Sequence, residues 1–267
     1  MGAEELLNGH VLITGATGGI GHAIARAFAT RGAQLVLSGR RAEVLEPLAQ
    51  EVRGRAAACD LSDRQDLQRL VEEAGEVDVL VANAALPGSG VLTELTQEEI
   101  DRILEVNLRA PVALARALAP GMIERGRGHL VFISSLAGKA TSPASSIYSA
   151  TKFGLRGFAL AARQDLAVHG IGVSVVLPGF IREAGMFAEA GIELPRGVGT
   201  RSPDDVAAAA VQAVERNRAE IDVAPAGLRA GAVLAGVAPV LAAAVTRRLG
   251  GDRTATDLAA GQAGKRN

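Results

Sequence analysis

The sequence predicts an α/β fold: one doubly wound domain with a parallel sheet of roughly seven strands and helices on both faces. Three observations predict it. Short runs of aliphatic and β-branched residues alternate with longer helical patterns. Most of the short runs are apolar on both faces, as strands of a buried parallel sheet are, where half-buried strands would alternate with polar residues. The first run passes directly into a glycine cluster that opens a helical pattern. Regular β–α alternation makes the crossovers right-handed and lays helices on both sides of the sheet.

Strands are expected at "HVLIT" (10–14), "QLVLS" (34–38), "RAAAC" (55–59), "VDVLVA" (77–82), "HLVFIS" (129–134), "GVSVVL" (172–177) and "EIDVA" (220–224). Helical patterns fill the intervals near 19–31, 41–53, 63–74, 97–118, 148–169 and 203–217. No internal linker interrupts residues 1–225, which read as a single catalytic domain. Within it, "FIREAGMFAEAGIELPRGVGTRS" (180–202) is a glycine-punctuated insertion after the sixth strand, and insertions at a sheet's carboxyl edge are commonly lids. Residues 226–249 form an apolar helical segment, and 250–267 have the composition of a disordered tail.

Composition narrows the function classes. Hydrophobic residues make up 48% of the 267 and charged residues 21%, with a formal net charge of −1. That balance argues for no nucleic-acid partner and no attraction to an anionic membrane. One cysteine, Cys59, excludes a disulfide framework and a thiolate cluster, and its apolar setting reads as a small buried hydrophobe. The histidines His10, His22, His129 and His169 are too scattered for a metal site. The N-terminus lacks a basic start followed by an apolar stretch, so a soluble, cytoplasmic protein is expected. The uncharged stretch 230–246, 17 residues with Pro239 inside it, is at the lower limit for crossing a bilayer. Burial against the sheet or a second subunit is favoured over membrane contact, which makes a homodimer or homotetramer the expected assembly.

The first strand runs into "TGATGGIG", Thr14 to Gly21. Gly15, Thr17, Gly18, Gly19, Ile20 and Gly21 supply a sharp turn, backbone N–H groups open to a pyrophosphate, and close packing of the next helix on the strand. Strand, glycine turn and helix in succession are the Rossmann-type dinucleotide context. An NAD-binding chain ordinarily places an acid about 20 residues further on to hold the ribose 2′-hydroxyl. Here "LVLSGRR" puts Arg40 and Arg41 there. Guanidinium groups match a 2′-phosphate through paired charge-assisted hydrogen bonds, so NADP(H) is expected in preference to NAD(H).

Tyr148 is the sole tyrosine of a chain without tryptophan, and Lys152 follows it by one helical turn on the same face. With the glycine turn, these residues make the sequence similar to the short-chain dehydrogenase/reductase family over about residues 8–225. Asp60 and Leu61 after the third strand, "ANAA" (82–85), Asn107 in "EVNLRAP", Ser135 thirteen residues before Tyr148, and Pro178-Gly179 all stand at family positions. The resemblance implies a catalytic set of Asn107, Ser135, Tyr148 and Lys152. It also implies cofactor contacts from Asp60, Leu61, Asn83, Ala84, Tyr148, Lys152, Pro178, Gly179 and Ile181. The activity implied is NADP(H)-dependent interconversion of a carbonyl and an alcohol. Ser135 and Tyr148 would hold the carbonyl oxygen, the phenol would act as acid and base, and Asn107 would hold a water linking Lys152 to solvent. A free phenol titrates near ~10, and a neighbouring ammonium is expected to lower that value.

Two positions depart from the family pattern. Ala85 replaces a glycine, and Glu183 replaces a threonine that would bond the nicotinamide end of the cofactor. A carboxylate cannot donate there and repels phosphate, so either Glu183 turns to solvent or the lid sits differently. The alternative function is a non-catalytic dinucleotide-binding sensor or scaffold of the same fold. The lid's Met186, Phe187, Ile192 and Leu194 hint at an apolar substrate, interrupted by Arg182, Arg196 and Arg201.

Overall fold

A computed structural model describes residues 2–191, 194, 198–248, 251–262 and 264. The strands are β1 (His10–Thr14), β2 (Gln34–Gly39), β3 (Arg55–Ala58), β4 (Val79–Ala82), β5 (Gly128–Ile133), β6 (Ile171–Pro178) and β7 (Glu220–Val223). They form one sheet in the order β3-β2-β1-β4-β5-β6-β7, and every pairing is parallel.

Both faces of the sheet are covered, so the inner strands β4, β5 and β6 are buried along their whole length, while the edge strands β3 and β7 carry charged residues and are partly open. Val11 and Ile13 of β1 face one core with Ile24 and Phe28 of α2 (Gly19–Ala29), Leu45 of α3 (Ala42–Val52) and Val206 of α9 (Pro203–Glu215). Leu12, one residue between them, faces the other core with Leu70 of α4 (Arg64–Ala74), Leu114 of α6 (Ala110–Arg125) and Leu155 of α7 (Ser146–Ala167). Phe132 of β5 meets Phe158 of α7 edge to face, with ring centres 5.6 Å apart. A short α1 (Ala3–Leu7), not anticipated from the sequence, adds Leu7 to the first core.

Three other elements differ from expectation. The helix expected over 97–118 is α5 (Gln97–Leu104), a π-helical turn over Glu105–Arg109, and α6. The turn widens the helix at Asn107, a residue that favours local backbone bonding over a regular helix interior. The uncharged stretch 230–246 is divided between α10 (Ala226–Val237) and α11 (Pro239–Arg248), because Pro239 has no N–H to continue the first helix. No helix of the described residues is long and apolar enough to cross a membrane. The tail expected to be disordered over 250–267 differs in its described part: α12 (Gly251–Gln262) is helical and packs on α8 (Gly185–Ala190), the helix of the lid, while 250, 263 and 265–267 lie outside the described residues.

Candidate active site

The chain order reverses between β1 and β4, and at such a switch point the loops leave the sheet in opposite directions and open a crevice at its carboxyl edge. A cleft of about 880 Å³ occupies that place. Every expected cofactor residue lines it: Gly15, Thr17 to Gly21, Arg40, Arg41, Asp60, Leu61, Asn83, Ala84, Tyr148, Lys152, Pro178, Gly179 and Ile181. Ser135 lines it too. Asn107 does not.

The glycine turn leads from β1 into α2. Gly15 has φ +65, and a Cβ there would lie 2.6 Å from Ala84 Cα; one at Gly21 would lie 2.3 Å from the Gly15 oxygen. Gly18, which caps α2, has nothing nearer than 3.6 Å around a Cβ position, and no side chain bonds to the first turn of the helix. Unclaimed N–H groups at a helix N-terminus, with open space before them, suit a pyrophosphate. The turn is locked from the side. Thr14 Oγ1 accepts from the N–H groups of Asn83 and Ala84, each at 3.2 Å, and Asn83 Nδ2 donates to the carbonyls of Thr14 and Gly15, each at 3.1 Å.

The two arginines after β2 have different surroundings. Arg41 donates to the Thr17 carbonyl at 2.8 Å, so it braces the turn. Arg40 makes no hydrogen bond or ion pair among the described residues and is exposed at the cleft. Across from them, Asp60 accepts from the N–H and hydroxyl of Ser62 at 2.9 and 2.7 Å and from Arg102 at 3.1 Å. Burial alone would raise its carboxyl, but the Ser62 bonds, Arg102 and Arg40 hold it below the usual range. Cys59 also borders the cleft, and burial pushes its thiol up to about 12.

At the other end, Ser135 leaves β5 as the cap of a 3₁₀ turn over Leu136–Gly138. Its Oγ accepts from Ala137 N at 3.1 Å and donates to the Pro178 carbonyl at 3.4 Å. Tyr148 and Lys152 come from the first turns of α7. Ser134, unremarkable in the sequence, pins that helix by donating to the Lys152 carbonyl at 3.0 Å. Lys152 is 2% exposed, and its Nζ donates to the Ile133 carbonyl at 3.2 Å. Burial drives the Tyr148 phenol up to about 12, against the downward pull of a hydrogen bond with the Ser135 hydroxyl, and drives the Lys152 amine down to about 8. This corrects the expectation of a phenol lowered by the lysine. Desolvation opposes phenolate and ammonium alike.

Asn107 occupies the π turn, where its Oδ1 accepts from Leu86 N at 2.6 Å and its Nδ2 donates to Leu86 O at 2.9 Å. The amide thus clamps the loop after β4, whose Leu86 and Pro87 line the cleft. Glu183 turns to solvent: its side chain is 67% exposed, and it pairs with Arg182 at 2.8 Å from a left-handed backbone at φ +70. Ala85, Met186 and Phe187 line the cleft, and Leu194 is partly buried; Ile192 and Arg196 lie outside the described residues. Arg102 and Gln262 were not singled out from the sequence, because only the fold brings them to this edge.

An uncapped glycine turn at the switch point, with a serine, a tyrosine and a buried lysine beside it, defines a dinucleotide-dependent oxidoreductase. The profile described as short chain dehydrogenase matches residues 9–193, and the chain belongs to that family of NAD(P)-dependent dehydrogenases and reductases. It is 37% identical over 222 residues to the ketoacyl reductase HetN of Nostoc sp., covering 80% of this chain and 77% of that protein. It is 35% identical over 173 residues to the 3-oxoacyl-[acyl-carrier-protein] reductase FabG of Rickettsia conorii, covering 64% and 72%. Among solved structures, a short-chain dehydrogenase from Sphingobium yanoikuyae in complex with NADPH superposes with a TM-score of 0.73 at 33% identity, covering 79% of this chain and 86% of that one.

Proposed function

We propose that the protein is an NADP(H)-dependent carbonyl reductase whose acid–base group is Tyr148, with 3-oxoacyl thioesters as the substrate class. The observation that carries the reading is that Ser135, Tyr148 and Lys152, from two different elements, line one cleft together with the glycine turn. The thioester class comes from the ketoacyl reductase relatives, and the apolar lid residues Met186 and Phe187 suit an acyl chain.

Ser135 and Tyr148 each offer an O–H to the substrate's carbonyl oxygen and polarise it. When bound, the nicotinamide supplies hydride to the carbonyl carbon. Tyr148 then gives its proton to the developing alkoxide. A phenol held near 12 is fully protonated at neutral pH, the form a reduction requires. Lys152, charged below about 8, lowers the cost of leaving a phenolate behind. Asn107 acts by holding Leu86 and the cleft wall in place. Arg40 supplies the charge for a ribose 2′-phosphate, with Arg41 holding the turn beside it.

The protein is read as a cytoplasmic homodimer or homotetramer. The exposed Val233, Leu234, Val237, Val240 and Leu241 of α10 and α11 support a subunit contact. Fractionation that places the native protein in the membrane pellet would reverse that placement. The functional test follows NADPH consumption with acetoacetyl-CoA and a panel of aldehydes, ketones, quinones and steroids. Tight NADPH binding with no turnover of any compound would replace the reductase by a sensor or scaffold.

A further inference from the structure

The C-terminal helix α12 returns to the lid and reaches the cleft. Gly261 seats against the end of α8, where a Cβ would lie 2.8 Å from the Ala190 oxygen and 3.0 Å from its Cβ. The next residue, Gln262, is 3% exposed and lines the cleft beside Met186 and Phe187. Its Nε2 donates to the Met186 carbonyl at 3.3 Å. Its Oε1 is buried with no hydrogen-bond partner among the described residues. The lid itself rests on the glycine turn, since a Cβ at Gly19 would lie 2.4 Å from Ala184 Cβ.

A buried amide oxygen without a donor is costly and rare in a native structure. Rotating the amide would not relieve it, because Oε1 would then face the Met186 carbonyl. The side chain is therefore fixed as an acceptor. We propose that α12 is the outer wall of the lid and that Gln262 is a ligand-binding residue. Its Oε1 takes a hydrogen bond from a neutral N–H or O–H group at the lid end of the cleft. Two ligands carry such a donor: the carboxamide of the nicotinamide, and a hydroxyl or amide on the carbonyl substrate. A carbonyl or carboxylate oxygen at that spot would be repelled. The inference rests on reading the cleft as the dinucleotide and carbonyl site.

The test uses the full-length protein as wild type, Gln262→Leu and Gly261→Val. The first variant removes the acceptor. The second pushes α12 off Ala190 and leaves the amide intact, and melting temperatures show that both are folded. Calorimetry with NADPH, KM for the carbonyl compound turned over fastest, and hydrogen exchange over 251–262 with and without NADPH are measured. A Kd for NADPH weakened about 5- to 10-fold in Gln262→Leu assigns the donor to the cofactor. A KM raised by that factor with unchanged Kd assigns it to the substrate. Gly261→Val should reproduce either loss and expose 251–262 to exchange. A Kd unchanged in Gln262→Leu, with KM unchanged or no turnover to measure, overturns the inference. Wild-type protein that binds no NADPH overturns the reading of the cleft as well.

Discussion

Lys152 Nζ stands 5.6 Å from the centre of the Tyr148 ring while donating to the Ile133 carbonyl at 3.2 Å. The cation is thus placed against the phenol and held there by a strand end, inside the protein. Contact with the ring favours the charged amine, but burial prevails and brings it down to about 8. This couples a structural cost to a chemical use, and both parts are measurable.

Tyr148 is the only tyrosine and there is no tryptophan, so near-ultraviolet phenolate absorbance reports that residue alone. Titration of the cofactor-free protein should give one transition above the free-phenol value, approaching about 12. A transition below ~10 would mean that the lysine charge dominates burial.

Tyr148→Phe should keep NADPH affinity within about twofold and lose at least ~100-fold in kcat, since the proton donor alone is removed. Calorimetry and single-turnover kinetics separate the two effects. Substantial turnover in this variant would end the assignment of Tyr148 as acid.

Lys152 should also make stability pH-dependent. Its folded pKa, about 8, lies below the ordinary 10.5, so the unfolded chain holds the extra proton between those values. Folding is penalised fully below about 8, and the penalty fades as pH rises toward 10.5. Lys152→Met should therefore stabilise the cofactor-free protein near neutrality and lose about 2 kcal/mol of that advantage between about pH 7 and 10. Urea denaturation of both proteins across this range checks the sign. In turnover, wild-type reduction should decline above about pH 8 as the amine loses its charge.

Cofactor choice should follow Arg40. NADPH should bind more tightly than NADH by about 1–3 kcal/mol, and Arg40→Ala should remove most of the difference. Arg41→Ala should weaken both cofactors alike, because its guanidinium holds Thr17 of the glycine turn. Equal affinities of the wild type for the two cofactors would dismiss the 2′-phosphate role.

Asn107→Leu should cost about 2–4 kcal/mol of stability, since both backbone groups of Leu86 lose their buried partners. Denaturant unfolding measures this. A change under about 0.5 kcal/mol would show that the clamp is dispensable.

By itself the sequence determined the seven strands, their parallel character and the residues at their carboxyl ends. Apolar runs, helical periodicity and the glycine turn are local patterns, and one rule of handedness converts them into a sheet with a crevice. Tyr148 and Lys152 were legible for the same reason, because four residues in a helix fix a shared face. The tertiary structure decided whatever depends on environment or distant contact. The phenol rises because burial, invisible in a tetrapeptide spacing, opposes its charge. Asn107 proved to be a clamp on Leu86, 21 residues away. The polar, alanine- and glycine-rich end of the chain reads as disorder until α8 provides a surface for it. Gly261 and Gln262 carry no signal of their own, and only packing on the lid brings Gln262 to the cleft.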